Sequence, residues 1–111
     1  MKSLFYQTGL VFIIVLLASS TVMADEEIQV VIKDHQFLPS EVKIKTQTKT
    51  KLLITNQDSS AEEFESFSLN REKMIRPGQT VTIFIPPLKP GTYDFFGEFH
   101  PDTAKGKIVV E

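Results

Sequence analysis

The residues of this 111-residue chain best suited to chemistry are its two histidines and the carboxylates around them. His100 stands between Glu98 and Asp102, His35 follows Asp34, and Glu62, Glu63 and Glu65 crowd into one short stretch. Imidazole with several carboxylates is a hard-to-borderline donor set, suited to copper(II), iron, manganese or zinc. The chain has no cysteine, so it offers neither a thiolate ligand nor a disulfide. It also lacks a glycine-rich phosphate loop, a nucleophile motif and a Ser-His-Asp order, which argues against hydrolysis and phosphoryl transfer.

Each of these residues has a plainer role as well. His35 falls in a turn, where a surface or hydrogen-bonded histidine is the ordinary case. Glu63 and Glu65 flank Phe64 and suit the solvated face of a half-buried strand. His100 can bond backbone in its turn rather than a ligand. Met74 offers a thioether but equally suits gap-filling in a core, and Arg71-Glu72-Lys73 reads as exposed charge.

The elements that must position these side chains are short strands. Tyr93 and Phe95 alternate with Thr92, Asp94 and Phe96, which predicts a strand with the first pair facing a core. It runs into the turn His100-Pro101-Asp102, and Lys107 to Val110 then forms a strand returning beside it. Upstream, alternation predicts strands over Ile28 to Lys33, Val42 to Lys45, Lys51 to Asn56, Ala61 to Phe67 and Val81 to Ile85. Ser68 to Lys73 reads as a charged connection with room for one helical turn, and Arg76-Pro77-Gly78-Gln79 as a turn. Seven short strands without a long helix imply an all-β fold, an antiparallel Greek-key β-sandwich.

The stretch GTYDFFGEFHPDTAKGKIVVE, Gly91 to Glu111, resembles the C-terminal signature of the cupredoxins. In that signature G-x-Y-x-F/Y-x-C is followed by a His, then a Met, then G-x-hydrophobic. Gly91, Tyr93, Phe95 and His100 match it, while Gly97 stands at the copper-binding Cys and Ala104 at the axial Met. The resemblance also places Glu62 or Glu63 at the position of the first ligand His, and Phe37 as a plug at the end of the barrel. It therefore implies that no blue-copper centre can form, because the thiolate is indispensable to one.

What the resemblance leaves at that end of the sandwich is a candidate ligand set of His100, Glu98 and Asp102 with Glu62, Glu63 or Glu65, and His35 in the turn before Phe37. The runs EEFES, REK and EFHP are similar to a subgroup of cupredoxin-like periplasmic proteins that accompany bacterial iron permeases. That similarity implies a divalent metal, copper or iron, as the bound species. It also implies an iron permease and a periplasmic iron-binding protein as partners, with ferrous iron oxidation a further candidate role. The alternative is a metal-free sandwich that docks on a partner.

The chain opens as a secretory signal peptide: Lys2, the apolar run Leu10 to Ala18, and Val22-Met23-Ala24 before a cut ahead of Asp25. Residues 1–24 are thus expected to be removed on export to the periplasm, leaving 25–111 as the cupredoxin-like domain. Lys2 is the one charged residue of the leader, so the domain carries 11 basic and 14 acidic residues, net −3. Its basic residues are scattered among acids rather than gathered in a stripe, which argues against a nucleic-acid partner.

Overall fold

Residues 26–111 are described by a computed structural model; the expected leader over 1–24 lies outside the described residues. The described residues form nine strands and no helix: β1 Glu26–Lys33, β2 Gln36–Leu38, β3 Glu41–Ile44, β4 Thr50–Asn56, β5 Glu62–Ser66, β6 Arg71–Ile75, β7 Thr80–Ile85, β8 Gly91–Gly97 and β9 Lys105–Val110. They make two sheets, of order β2-β1-β4-β7 and β3-β9-β8-β5-β6.

The all-β sandwich expected from the alternation is therefore present, with two refinements. Both sheets are mixed, because β1 pairs with β4 and β3 with β9 in parallel while the remaining pairs are antiparallel. Two strands add to the expected seven. Gln36–Leu38 is too short for a periodic signal, and Arg71–Ile75 replaces the expected connection with its helical turn. REKMI has almost no apolar alternation; its strand exists because β5 supplies backbone partners from Glu62↔Ile75 to Ser66↔Arg71. Met74, on β6, is 45% exposed and so is not a core methionine.

The core lies where the inward sets meet. Val30 and Ile32 of β1, Leu52 and Ile54 of β4, and Val81, Ile83 and Ile85 of β7 face Phe64, Phe95 and Ile108 of the second sheet. Phe37, Phe64 and Phe95 interlock: Phe37 meets Phe95 edge-on at 5.0 Å between centroids, and Phe95 stacks on Phe64 at 5.0 Å. Each such buried ring contributes about 1.5–3 kcal/mol relative to exposure, so this trio anchors the end of the sandwich next to the histidines. Gly106 is required there, since a Cβ on it would collide with the Phe95 ring.

Candidate functional site

Residues from both sheets meet at the end of the sandwich where β1 and β4 finish, β5 begins and β8 runs out. β5 alternates Glu62 in, Glu63 out, Phe64 in, Glu65 out. That alternation splits the carboxylates predicted to act together into two groups on opposite faces.

Glu62 belongs to the inner group and is 1% exposed. Its Oε1 accepts from the backbone N–H of Glu63 at 3.0 Å and of Phe99 at 2.9 Å, and its Oε2 lies 2.7 Å from His100 Nδ1. A carboxylate has no proton to give, so the Nδ1 of His100 carries the hydrogen and Nε2 is its free ring nitrogen. The loop holds this ring from behind, with the His100 carbonyl accepting from Ala104 N–H at 2.8 Å and Gly97 N–H donating to the Ala104 carbonyl at 2.8 Å.

His35 arrives from the other sheet and stacks on His100, with centroids 3.6 Å apart and planes inclined by 15°. Asp34 and His35 form the two-residue link of the β1–β2 hairpin, and both have positive φ, 53° and 56°. A two-residue hairpin loop of this twist needs φ > 0 at both places, a region costly for a residue with a Cβ. Asp58 holds the conformation. Its Oδ1 accepts from Asp34 N–H at 2.8 Å and its Oδ2 from His35 N–H at 2.9 Å, while Oδ2 lies 3.5 Å from His35 Nδ1.

Burial acts to raise the Asp58 carboxyl, but the two N–H donors and the nearby imidazoles outweigh it and hold it below its ordinary value of 3.8. Asp58 is itself fixed by its N–H donating to Asn56 Oδ1 at 2.9 Å, and Asn56 Nδ2 donates to the Ser60 and Ile75 carbonyls. Sequence reading did not single out Asp58. The available signal was the Asp-His pair in a tight turn, whose two N–H groups call for an acceptor.

Glu63 and Glu65 lie on the outer face, where their carboxylate oxygens and that of Glu72 come within 4.8 Å of one another. Glu98 joins them: hydrogen bonding to Glu72, partial burial, and the charges of Glu98 and Glu72 push Glu63 up to about 7. Partial burial and the charges of Glu72 and Glu98 also raise Glu65. Asp102 is exposed and makes no hydrogen bond or ion pair with His100 among the described residues. The predicted set thus divides into His100, Glu62 and His35 at the pole, Glu63, Glu65 and Glu98 on the outer face, and Asp102 apart from both.

A family profile described as a cupredoxin-like domain matches residues 8–110. A protein of Rickettsia prowazekii (strain Madrid E), described only as uncharacterized, is 49% identical over 84 residues, 76% of this chain and 67% of that protein. Among solved structures, the fold is similar to auracyanin A, a "blue" copper protein from Chloroflexus aurantiacus, with a TM-score of 0.70 at 14% identity over 79% of this chain and 100% of that one. It is also similar to amicyanin from Paracoccus versutus, with a TM-score of 0.61 at 26% identity over 82% and 86% of the two chains.

Proposed function

Because the chain belongs to the cupredoxin-like domain family, we propose that it is a metal-binding accessory protein of the periplasm that binds copper or iron through His100 and His35. In this reading it assists ferrous iron uptake, binding or oxidising iron for a membrane permease and its periplasmic iron-binding protein. The uptake role rests on the resemblance in EEFES and EFHP, and the metal role on the pole itself.

A type 1 copper centre does not fit these residues. The chain has no thiolate, and the Glu62 carboxylate fills the space beside Gly97. A different use of the same pole does fit. The carrying observation is the 2.7 Å contact between Glu62 Oε2 and His100 Nδ1, because a carboxylate on one ring nitrogen orients an imidazole and makes the other nitrogen a better ligand. Asp58 holds His35 differently, through the His35 backbone N–H, with the carboxylate 3.5 Å from the ring nitrogen Nδ1. Rings stacked face to face keep their lone pairs in nearly parallel planes about 3.6 Å apart, so joint ligation of one ion requires His35 to swing, which its 44% exposed side chain has room to do. A bound ion would supply Lewis acidity or a redox couple; Glu62 and Asp58 would hold the two histidines.

A second reading is favoured by the completeness of the Glu62 bonds. Every strong donor facing that carboxylate is already paired, so the sandwich stands without metal and can serve as a docking module.

Titration calorimetry with copper(II), and with iron(II) under anaerobic conditions, separates the two. On the metal-binding reading, copper(II) binds most tightly by the Irving–Williams order, and His100→Ala or His35→Ala weakens it by about tenfold or more. Glu62→Gln weakens it by roughly 10- to 100-fold, and Glu63→Gln on the outer face leaves it unchanged. Loss of binding in Glu63→Gln alone would move the site to the outer face, and an absence of binding by the parent would leave the docking module.

A further inference from the structure

The opposite end of the sandwich carries a cleft unrelated to the histidines. Thr50 begins β4 and pairs with Ile85 at the end of β7, while Arg71 begins β6 beside Ser66 at the end of β5. These strand ends point away from the Asn56 and Glu62 pole. Where the edge strands β6 and β7 of the two sheets approach, a cleft of about 370 Å³ opens, a size at the lower end of small-ligand pockets.

The walls of this cleft are of two kinds. Phe84, Ile85, Pro86 and Pro87 make one side apolar, and Phe84 is 63% exposed. Lys49, Lys51 and Arg71 make the rim cationic, and the lining includes no carboxylate. Among the described residues none of these three cations is in an ion pair, although Glu27 is in register with Lys51 across β1 and β4. Arg71 is held rigidly: Nε donates to the Phe84 carbonyl at 3.0 Å, and Nη1 to the Asn70 and Leu69 carbonyls at 3.0 and 3.3 Å. Its Nη2 has no protein acceptor among the described residues.

Thr50 supplies an independent sign that this is a binding site. It is 2% exposed, it lines the cleft, and its hydroxyl is buried with no partner in the protein. Buried polar side-chain atoms are nearly always paired, so the lone hydroxyl of a residue that lines a cationic cleft is an unused donor beside it, one that a ligand oxygen could accept from if the side chain turned toward the cleft. Opposite charge at the rim and an apolar wall at the side define the ligand chemistry.

We infer that this cleft binds a small amphipathic carboxylate, with the anion between Arg71, the lysines and the Thr50 hydroxyl and an aryl or short alkyl body against Phe84 and Pro86. The site is independent of the metal pole and of the reading proposed for it.

The test is a nuclear magnetic resonance titration of the full chain with phenylacetate, with the neutral phenylacetamide and with inorganic phosphate. Phenylacetate is expected to shift the amide signals of Thr50, Arg71 and Phe84 saturably and to leave His100 unmoved. Phenylacetamide, lacking the charge, is expected to bind at least about tenfold more weakly, and Arg71→Gln to weaken phenylacetate to a similar degree. Thr50→Val keeps the shape, removes an unpaired hydroxyl, and is expected to fold normally while weakening phenylacetate severalfold. Equal binding of phenylacetate and phenylacetamide, equal binding of phosphate and phenylacetate, or full affinity in Thr50→Val and Arg71→Gln would each overturn the inference, as would the absence of a saturable shift.

Discussion

The carboxylate of Glu62 occupies the space into which a side chain at position 97 would grow. A Cβ on Gly97 would lie 2.5 Å from Glu62 Cδ, 2.7 Å from Glu62 Oε1 and 2.7 Å from the Ala104 Cβ, all inside van der Waals contact. Gly97 and Ala104, which the resemblance sets at the cysteine and methionine of the type 1 copper pattern, thus pack together with Glu62, one of the two residues it sets at the first histidine. A buried carboxylate at 62 requires a glycine at 97.

Restoring the thiol by itself should therefore fail. Gly97→Cys overpacks the pole and is expected to cost about 1–3 kcal/mol, lowering the melting temperature by roughly 5–20 °C for a domain of this size. With copper(II) it should give no intense thiolate absorption. Gly97→Cys combined with Glu62→Ala clears the space and should recover part of the stability, with charge-transfer intensity appearing beside His100. A single variant as stable as the parent and blue with copper would refute the packing account.

His35 is held in a left-handed backbone conformation by Asp58, and the two residues should respond in opposite directions. His35→Gly removes the Cβ from a position with φ of 56° and should leave stability unchanged or raise it by up to about 1 kcal/mol. Asp58→Ala strands the N–H groups of Asp34 and His35 and should cost about 1–3 kcal/mol. The pH dependence has a definite sign. Because the Asp58 carboxyl is lowered from 3.8 in the folded chain, its stabilisation is present above that value and is lost as pH falls below it. Acid unfolding of Asp58→Ala should lack this contribution, which chemical denaturation at pH 2 to 5 measures.

The outer carboxylates carry the reverse sign. Glu63 is raised from 4.5 to about 7 by its hydrogen bond with Glu72, partial burial and the charge of Glu98, so the folded chain binds its proton more tightly than the unfolded chain does. That contribution is present below pH 4.5 and is lost as pH rises toward 7. Glu63→Gln keeps a hydrogen-bonding group without the charge, and should flatten the stability profile between pH 4.5 and 7. An unchanged profile would show that the four carboxylates are too well solvated to couple.

Much of the framework was legible in the sequence because strand alternation is a local property. Val30 and Ile32, Leu52 and Ile54, Val81, Ile83 and Ile85, and Phe95 all face inward as their period of two required. The absence of cysteine settled the question of a type 1 centre whatever the fold. β6 was illegible for the converse reason: an edge strand of charged residues owes its existence to the backbone of β5 rather than to any pattern of its own.

Which glutamate faces His100 was beyond the sequence. Successive side chains of a strand point to opposite faces, so a shift of one residue exchanges Glu62 with Glu63, and only the packing of β5 between β6 and β8 selects Glu62 for the interior. Asp58 is 23 positions from His35, and they meet because β1 and β4 run parallel and end together at Ile32 and Asn56. The sequence alone determined which donors the chain possesses and excluded the thiolate. The tertiary structure decided which of them share a pole, because strand register and a parallel crossover are long-range choices that no local pattern encodes.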